Sequence, residues 1–144
     1  MENRNIKVLI DTNVILDVMM NRAPHYGNSS AFLKLCSSQM PGLITATQTK
    51  DIFYLLETVG KKSASEAKAF IRKLTDNIKA INVNMSDVSY ALDSEMDDYE
   101  DALIAFCGKR HKVDYIITRN ENDFIKSPVP ALSPQAFLEQ FFSK

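Results

Sequence analysis

The chain has 144 residues, 45% of them apolar and 24% charged, with a formal net charge of −1. These are proportions of a soluble globular protein, the length fits a single domain over residues 1–144, and the small net charge gives no bulk reason to expect a nucleic-acid or membrane partner. No apolar run approaches the ~18 residues of a membrane span and no secretory pattern opens the chain, so a cytoplasmic protein with no membrane partner is expected.

Strand and helix signals alternate along the chain. Ile6–Ile10 is a short, continuously apolar run, the mark of a strand covered on both faces. A short helix is predicted over Val14–Met20, and Pro24 forces a break before another over Gly27–Ser37. Pro41 and Gly42 turn the chain into a second strand, Leu43–Ala46, followed by a helix from about Gln48 to Val59 that Gly60 stops. Ser63 and Glu66 have capping-box spacing, so a further helix starts there. Its apolar positions Ala67, Phe70, Ile71 and Leu74 keep helical period and place Lys68, Arg72 and Lys73 outside. Ile78–Val83 reads as a third strand, and Ser86 as the cap of a helix to about Glu95. The helix over about Asp98–His111 is apolar nearly all round at Ala102–Cys107 and is therefore buried. Tyr115–Thr118 is a fourth strand and Val129–Leu132 a short fifth. Ser133-Pro134 then opens a closing helix, with Phe137, Leu138, Phe141 and Phe142 inward.

This order predicts an α/β fold with an open parallel sheet covered on both faces. Ligands in such folds bind beyond the carboxyl ends of the strands, and that rule selects the polar residues of interest. Asp11 is the first residue after strand one. Asp51 lies in the first turn of the helix after strand two. Asp98 and Asp101, three apart at the start of the most buried helix, share a face. Thr118, Arg119 and Asn120 end strand four, with Asp123 close behind.

Gathering like charges raises their pKa values and destabilises a fold, and a divalent cation removes that cost. Oxygen ligands without Cys or His favour Mg²⁺ or Mn²⁺ over Zn²⁺, and phosphodiester hydrolysis by an activated water follows from such a site. Plainer readings stand beside this one. Asp98 also suits a helix N-cap, Asp123 a turn, and Asp11 a loop that binds backbone amides. Asp17, Asp87, Asp93, Glu95, Asp97 and Glu100 read as solvated faces or caps.

Charge is uneven along the chain. Lys61 to Lys79 holds six cations against two acids, and Asp87 to Asp101 holds seven acids and no cation. The basic segment is either a phosphate-attracting patch or a solvated helix face. Cys36 and Cys107 match no metal or redox spacing and read as reduced core thiols. His25 and His111 read as surface residues.

The run IDTNVILD at Ile10–Asp17 resembles the opening motif of PIN domains. TKDIFYLL at Thr49–Leu56 resembles their second acidic motif, and DYEDALIAFCGKRHKVDYIITRNENDF at Asp98–Phe124 their second half. The resemblance spans essentially the whole chain. It implies an α/β/α sandwich with a central, mostly parallel sheet, in which strand one neighbours strand four and brings Asp11 beside Asn120 and Asp123. It also implies Mg²⁺- or Mn²⁺-dependent cleavage of RNA, as in the VapC-like toxins of toxin–antitoxin pairs, with an antitoxin protein and a second copy of the chain as candidate partners. Asp11, Asp51 and Asp101 match the core acids, with Asp98 and Asp123 at more variable acidic positions. Thr12, Asn13, Thr118 and Asn120 match polar positions that orient ligands or water.

Many relatives carry an aspartate where this chain has Asn120. That removes a charge for which Asp123 is the compensating candidate, and it leaves the number of metal ions open. Lys50 adds a cation beside Asp51. Arg119 either holds a substrate phosphate or balances nearby acids. A non-catalytic PIN scaffold that binds RNA or protein is the alternative reading. A receiver-type phosphotransfer domain fits poorly, because strand three ends in Val83-Asn84 and strand five in Leu132-Ser133-Pro134. Four glycines in no phosphate-loop pattern argue against a nucleotide-binding fold.

Overall fold

A computed structural model describes residues 6–142. Five strands, β1 (Val8–Ile10), β2 (Gly42–Thr45), β3 (Lys79–Ile81), β4 (Tyr115–Ile117) and β5 (Ala131–Leu132), form one sheet in the order β3-β2-β1-β4-β5. All four pairings are parallel. The helices are α1 (Thr12–Met19), α2 (Tyr26–Ser38), α3 (Gln48–Thr58), α4 (Ala64–Asn77), α5 (Met85–Asp93), α6 (Tyr99–Arg110) and α7 (Pro134–Phe142).

The alternation of β1 divides the core. Val8 and Ile10 point into a cluster with Ile15, Phe32, Ile52, Leu56, Leu74 and Phe137, drawn from α1, α2, α3, α4 and α7. Leu9 points the other way, against Ile104, Ala105 and Cys107 of α6 and against Ile116 and Phe124. The sheet is thus covered on both faces, the α/β/α arrangement that continuously apolar strands require. Both cysteines are buried and free. Among the described residues, no helix is long and apolar enough to cross a membrane.

Several local expectations are met. Ser63 and Glu66 form both halves of a capping box on α4, and Lys68, Arg72 and Lys73 are exposed. The Ser133 hydroxyl accepts from the Ala136 N–H at 3.0 Å, capping α7. Four details differ. Ser86 does not cap α5; Asn84 does, in a capping box with Asp87, and the Ser86 hydroxyl donates to the Asn84 carboxamide at 2.6 Å. Phe142 is exposed at the end of α7, because the apolar stripe turns past the core beyond Phe141. After α3 it is Lys61, not Gly60, that takes the left-handed conformation (φ 56°). Gly60 is needed for close approach, since a Cβ there would lie 2.7 Å from the Leu56 carbonyl oxygen.

The fourth difference concerns Asp17, which is fully buried rather than solvated. Its carboxylate pairs with Arg22 at 3.1 Å and Arg119 at 2.7 Å. Asp87 is likewise buried, and takes both the Nε and Nη2 of Arg110 at 2.9 Å.

The order β3-β2-β1-β4-β5 makes the boundary between β1 and β4 the point where successive strands switch direction across the sheet. In open α/β sheets the ligand-binding crevice lies at such a point, beyond the carboxyl ends of the strands.

Candidate active site

Asp11 leaves β1 at that crevice and becomes the N-cap of α1. Its amide donates to the Ile117 carbonyl at 2.8 Å, extending the β1–β4 ladder by one residue and fixing where the carboxylate starts. The carboxylate accepts from the Thr12 N–H at 2.7 Å, the Thr118 hydroxyl at 2.7 Å and the Asn13 amide at 3.2 Å. Only 8% of the residue is exposed. Burial pushes its pKa up most strongly, and Asp123 adds to this; the bonds from Thr118 and Thr12 and the charge of Arg119 oppose it without cancelling it. Thr118 is itself buried, and its oxygen accepts from the Asn120 N–H at 3.0 Å, so one hydroxyl joins the β4 exit to Asp11.

α6 delivers the second group of acids. Asp98 caps it, accepting from the Asp101 N–H at 3.0 Å, so the capping role is filled. Asp101, in the first turn, is half-buried, and its pKa is pushed up to about 7, first by burial and then by the charges of Asp11, Asp98, Asp123 and Glu100. Asp123 sits exposed in a 3-10 turn, Glu121–Phe124, that packs against α6. Asp11, Asp98, Asp101 and Asp123 therefore share one electrostatic neighbourhood, contributed by β1, α6 and the segment after β4.

Asp51 stands to one side. It is absent from the main influences on Asp11 and Asp101, and Lys50 reaches it at 3.3 Å from a largely exposed position. Its link to the rest runs through Glu100, whose pKa is raised first by Asp51, then by burial, Asp98 and Asp11, with Lys50 opposing. The sequence reading assigned Glu100 to a solvated face. It is exposed, yet it feels the charge of Asp51 on one side and of Asp98 and Asp11 on the other, which the sequence pattern does not reveal.

Gln48 was also missed. It is buried, accepts from the Thr45 N–H at 2.7 Å, and donates to the Ile10 carbonyl at 2.8 Å and the Thr12 hydroxyl at 3.1 Å. It thereby ties the ends of β1 and β2 together beneath the crevice. Arg119 donates through Nε to Asp17, and Asn13 accepts from the Arg119 N–H at 3.5 Å, the long limit of such a bond.

The chemistry available is that of carboxylates, amides and hydroxyls. Among the described residues, no three Asp, Glu, His or Cys side chains are already disposed around a common metal position. Mg²⁺ retains several waters and is often held through only one or two carboxylates, so the donor set fits that ion without a closed protein cage.

The family model described as PIN domain matches residues 7–122. This chain belongs to the PIN-domain family. Among solved structures, the PIN fold here is similar to a chain of VapBC2 from Rickettsia felis, crystallised on a DNA fragment from its promoter. The two share 14% identity at a TM-score of 0.68, over 89% of this chain and 98% of that one. FitAcB from Neisseria gonorrhoeae gives 18% identity and a TM-score of 0.63, over 89% and 98%. Mycobacterium tuberculosis VapC20, described as a Sarcin-Ricin loop cleaving toxin, gives 16% and 0.60, over 76% and 86%. At these identities the likeness is one of fold. No curated protein matches the sequence.

Proposed function

We propose that this PIN domain is a metal-dependent endoribonuclease, the toxin of a toxin–antitoxin pair, acting in the cytoplasm on RNA phosphodiester bonds through an activated water. The observation that carries this reading is the gathering of acids at the switch point of the sheet, Asp11 after β1, Asp98 and Asp101 at the start of α6 and Asp123 after β4, which with burial pushes Asp101 up to about 7. A site with uncompensated negative charge of this kind favours a divalent cation.

Asp11 and Asp101 are the residues to hold Mg²⁺ or Mn²⁺, with Asp123 and Asp98 completing the field and Asp51, paired with Lys50, at the margin of the site. When bound, the ion supplies a lowered water pKa and neutralises charge on the phosphodiester. Thr118 and Asn13 hold the Asp11 carboxylate in one orientation. Asn120 stands beside them as a neutral group able to orient water. Lys50 and Arg119 are the cations placed to meet the RNA backbone. The toxin assignment draws support from the VapC and Fit folds, whose solved structures include assemblies named VapBC and FitAB. An antitoxin and a second copy of this chain are the expected protein partners.

The deciding experiment is cleavage of single-stranded or loop RNA with Mg²⁺ or Mn²⁺, stopped by EDTA and restored by excess Mn²⁺. Cleavage that persists in protein verified metal-free removes the mechanism. RNA retention without turnover in either metal favours the non-catalytic module. Co-expression with the product of the neighbouring reading frame tests the antitoxin: stable co-purification with loss of cleavage is expected.

A further inference from the structure

Asp17 has no part in the chemistry above, yet it is the most completely buried acid near the site. It sits in α1 one position after Leu16 and three after Val14, both core residues. Its carboxylate accepts from Arg119 Nε at 2.7 Å, Arg22 Nε at 3.2 Å and the Ser29 hydroxyl at 3.3 Å. Burying an ion pair is seldom the most stabilising use of a core position, since apolar residues of similar volume often do as well or better. One acid between two arginines leaves a net positive charge at the edge of a strongly acidic crevice.

Arg119 is held in a particular way. Only its Nε is committed; among the described residues neither Nη group has a hydrogen-bond partner, and the side chain is 24% exposed. It lines two adjoining polar clefts, one with Asn120 and Asp123 at the acid site, the other with His25 and Asn28. Glu121, which shares the first cleft, is engaged with the Ser133 N–H.

We propose that Arg119 is a preformed clamp for one backbone phosphate of the RNA strand beside the acids, and that Asp17 is the positioning residue that locks it. This rests on the nuclease reading. The paired Nη groups match a phosphate bidentately. Locking Nε in advance removes rotamer freedom that binding would otherwise have to freeze. The clamp also answers an electrostatic need, because the neighbouring acids Asp11, Asp98, Asp101 and Asp123 repel the strand they are to cut.

The test measures binding of a fluorescent single-stranded oligoribonucleotide, with Mg²⁺ present, in an Asp101→Asn background that prevents turnover. Arg119→Gln should weaken binding about tenfold and reduce the salt slope by about 0.7, the value for one phosphate contact on a single strand. Arg119→Lys, which keeps the charge but loses the fork, should not restore it. Asp17→Asn supplies the decisive sign. Removing an acid near RNA should tighten binding if charge alone acts, whereas loss of positioning weakens it several-fold. In the Arg119→Gln background, Asp17→Asn should add nothing.

Tighter or unchanged binding in Asp17→Asn overturns the proposal, as does a penalty that persists without Arg119. Parent-like binding by Arg119→Lys overturns it too, and that variant decides the matter if Asp17→Asn does not fold. If the unsubstituted protein cleaves RNA while these variants bind normally, the clamp alone fails. If the unsubstituted protein neither binds nor cleaves RNA, the nuclease reading fails with it.

Discussion

Replacing Asp101 by Asn in the metal-free protein should make it more stable, and the gain should grow with pH. Asp101 has a folded-state pKa near 7 against an ordinary 3.8. Undiminished, that difference costs the ionised native state about 4 kcal/mol, at about 1.4 kcal/mol for each tenfold change in proton affinity. Water reaches the side chain, so screening reduces the penalty to about 1–2 kcal/mol. The folded protein holds this proton more tightly than the unfolded chain. Stability from this group is therefore full below pH 3.8, declines as pH rises towards 7, and stays low above. Asparagine does not ionise, and it keeps the backbone N–H that Asp98 caps. For a chain of this length, about 1–2 kcal/mol corresponds to roughly 3–6 °C in thermal midpoint. Melting both proteins in EDTA at pH 3 and pH 8 should show near-equal midpoints in acid and the variant ahead in base. Mg²⁺ or Mn²⁺ at pH 8 should raise the parent and not the variant. A variant less stable at both pH values would refute the reasoning, because Asp101 would then be making a favourable native contact.

Thr118→Val removes the 2.7 Å hydroxyl donor from a buried carboxylate; unfolding free energy should fall by about 1–3 kcal/mol, and cleavage should fall with it, as urea titration and initial rates will show. Asp98→Ala should cost about 1 kcal/mol through the lost cap, and Asp98→Asn little, since Asn caps as well as Asp. If Asp98→Asn nonetheless cleaves slowly, the charge rather than the cap matters to activity. Neutralising Lys68, Arg72 and Lys73 together should weaken RNA binding across sequences and flatten its salt dependence, with the cleavage rate at saturating RNA unchanged.

Much of this was readable from local patterns, and what was not has a common cause. Asp11 was legible because a carboxylate directly after a buried strand in an α/β fold falls at the crevice by topology. The capping box at Ser63 and Glu66 was legible because cap spacing is local. At Asn84 the same spacing to Asp87 was present, but Ser86 competed for the role, and the sequence does not show which hydroxyl or amide turns inward. Asp17 was misread because its main partner, Arg119, lies 102 residues away. The signal was available in the run VILDVM, where an acid inside a helix apolar on nearly every side must be buried and paired. Glu100 offered no such signal. Its environment arises from the charge of Asp51, 49 positions back in the chain, which neither helix's own periodicity encodes.

The pairing of β1 with β4 has a consequence for how the protein is made. Asp11 and the hydroxyl that orients it are separated by 107 residues. At ribosomal rates of about 5–20 residues per second, Thr118 is added roughly 5–20 seconds after Asp11. Through most of that interval Asp11 has neither its strand partner nor the acids of α6. Long-range parallel pairing of this kind also forms late in folding. The two halves of the crevice therefore meet only after β4 has been made, and a nascent chain shorter than that has no assembled site.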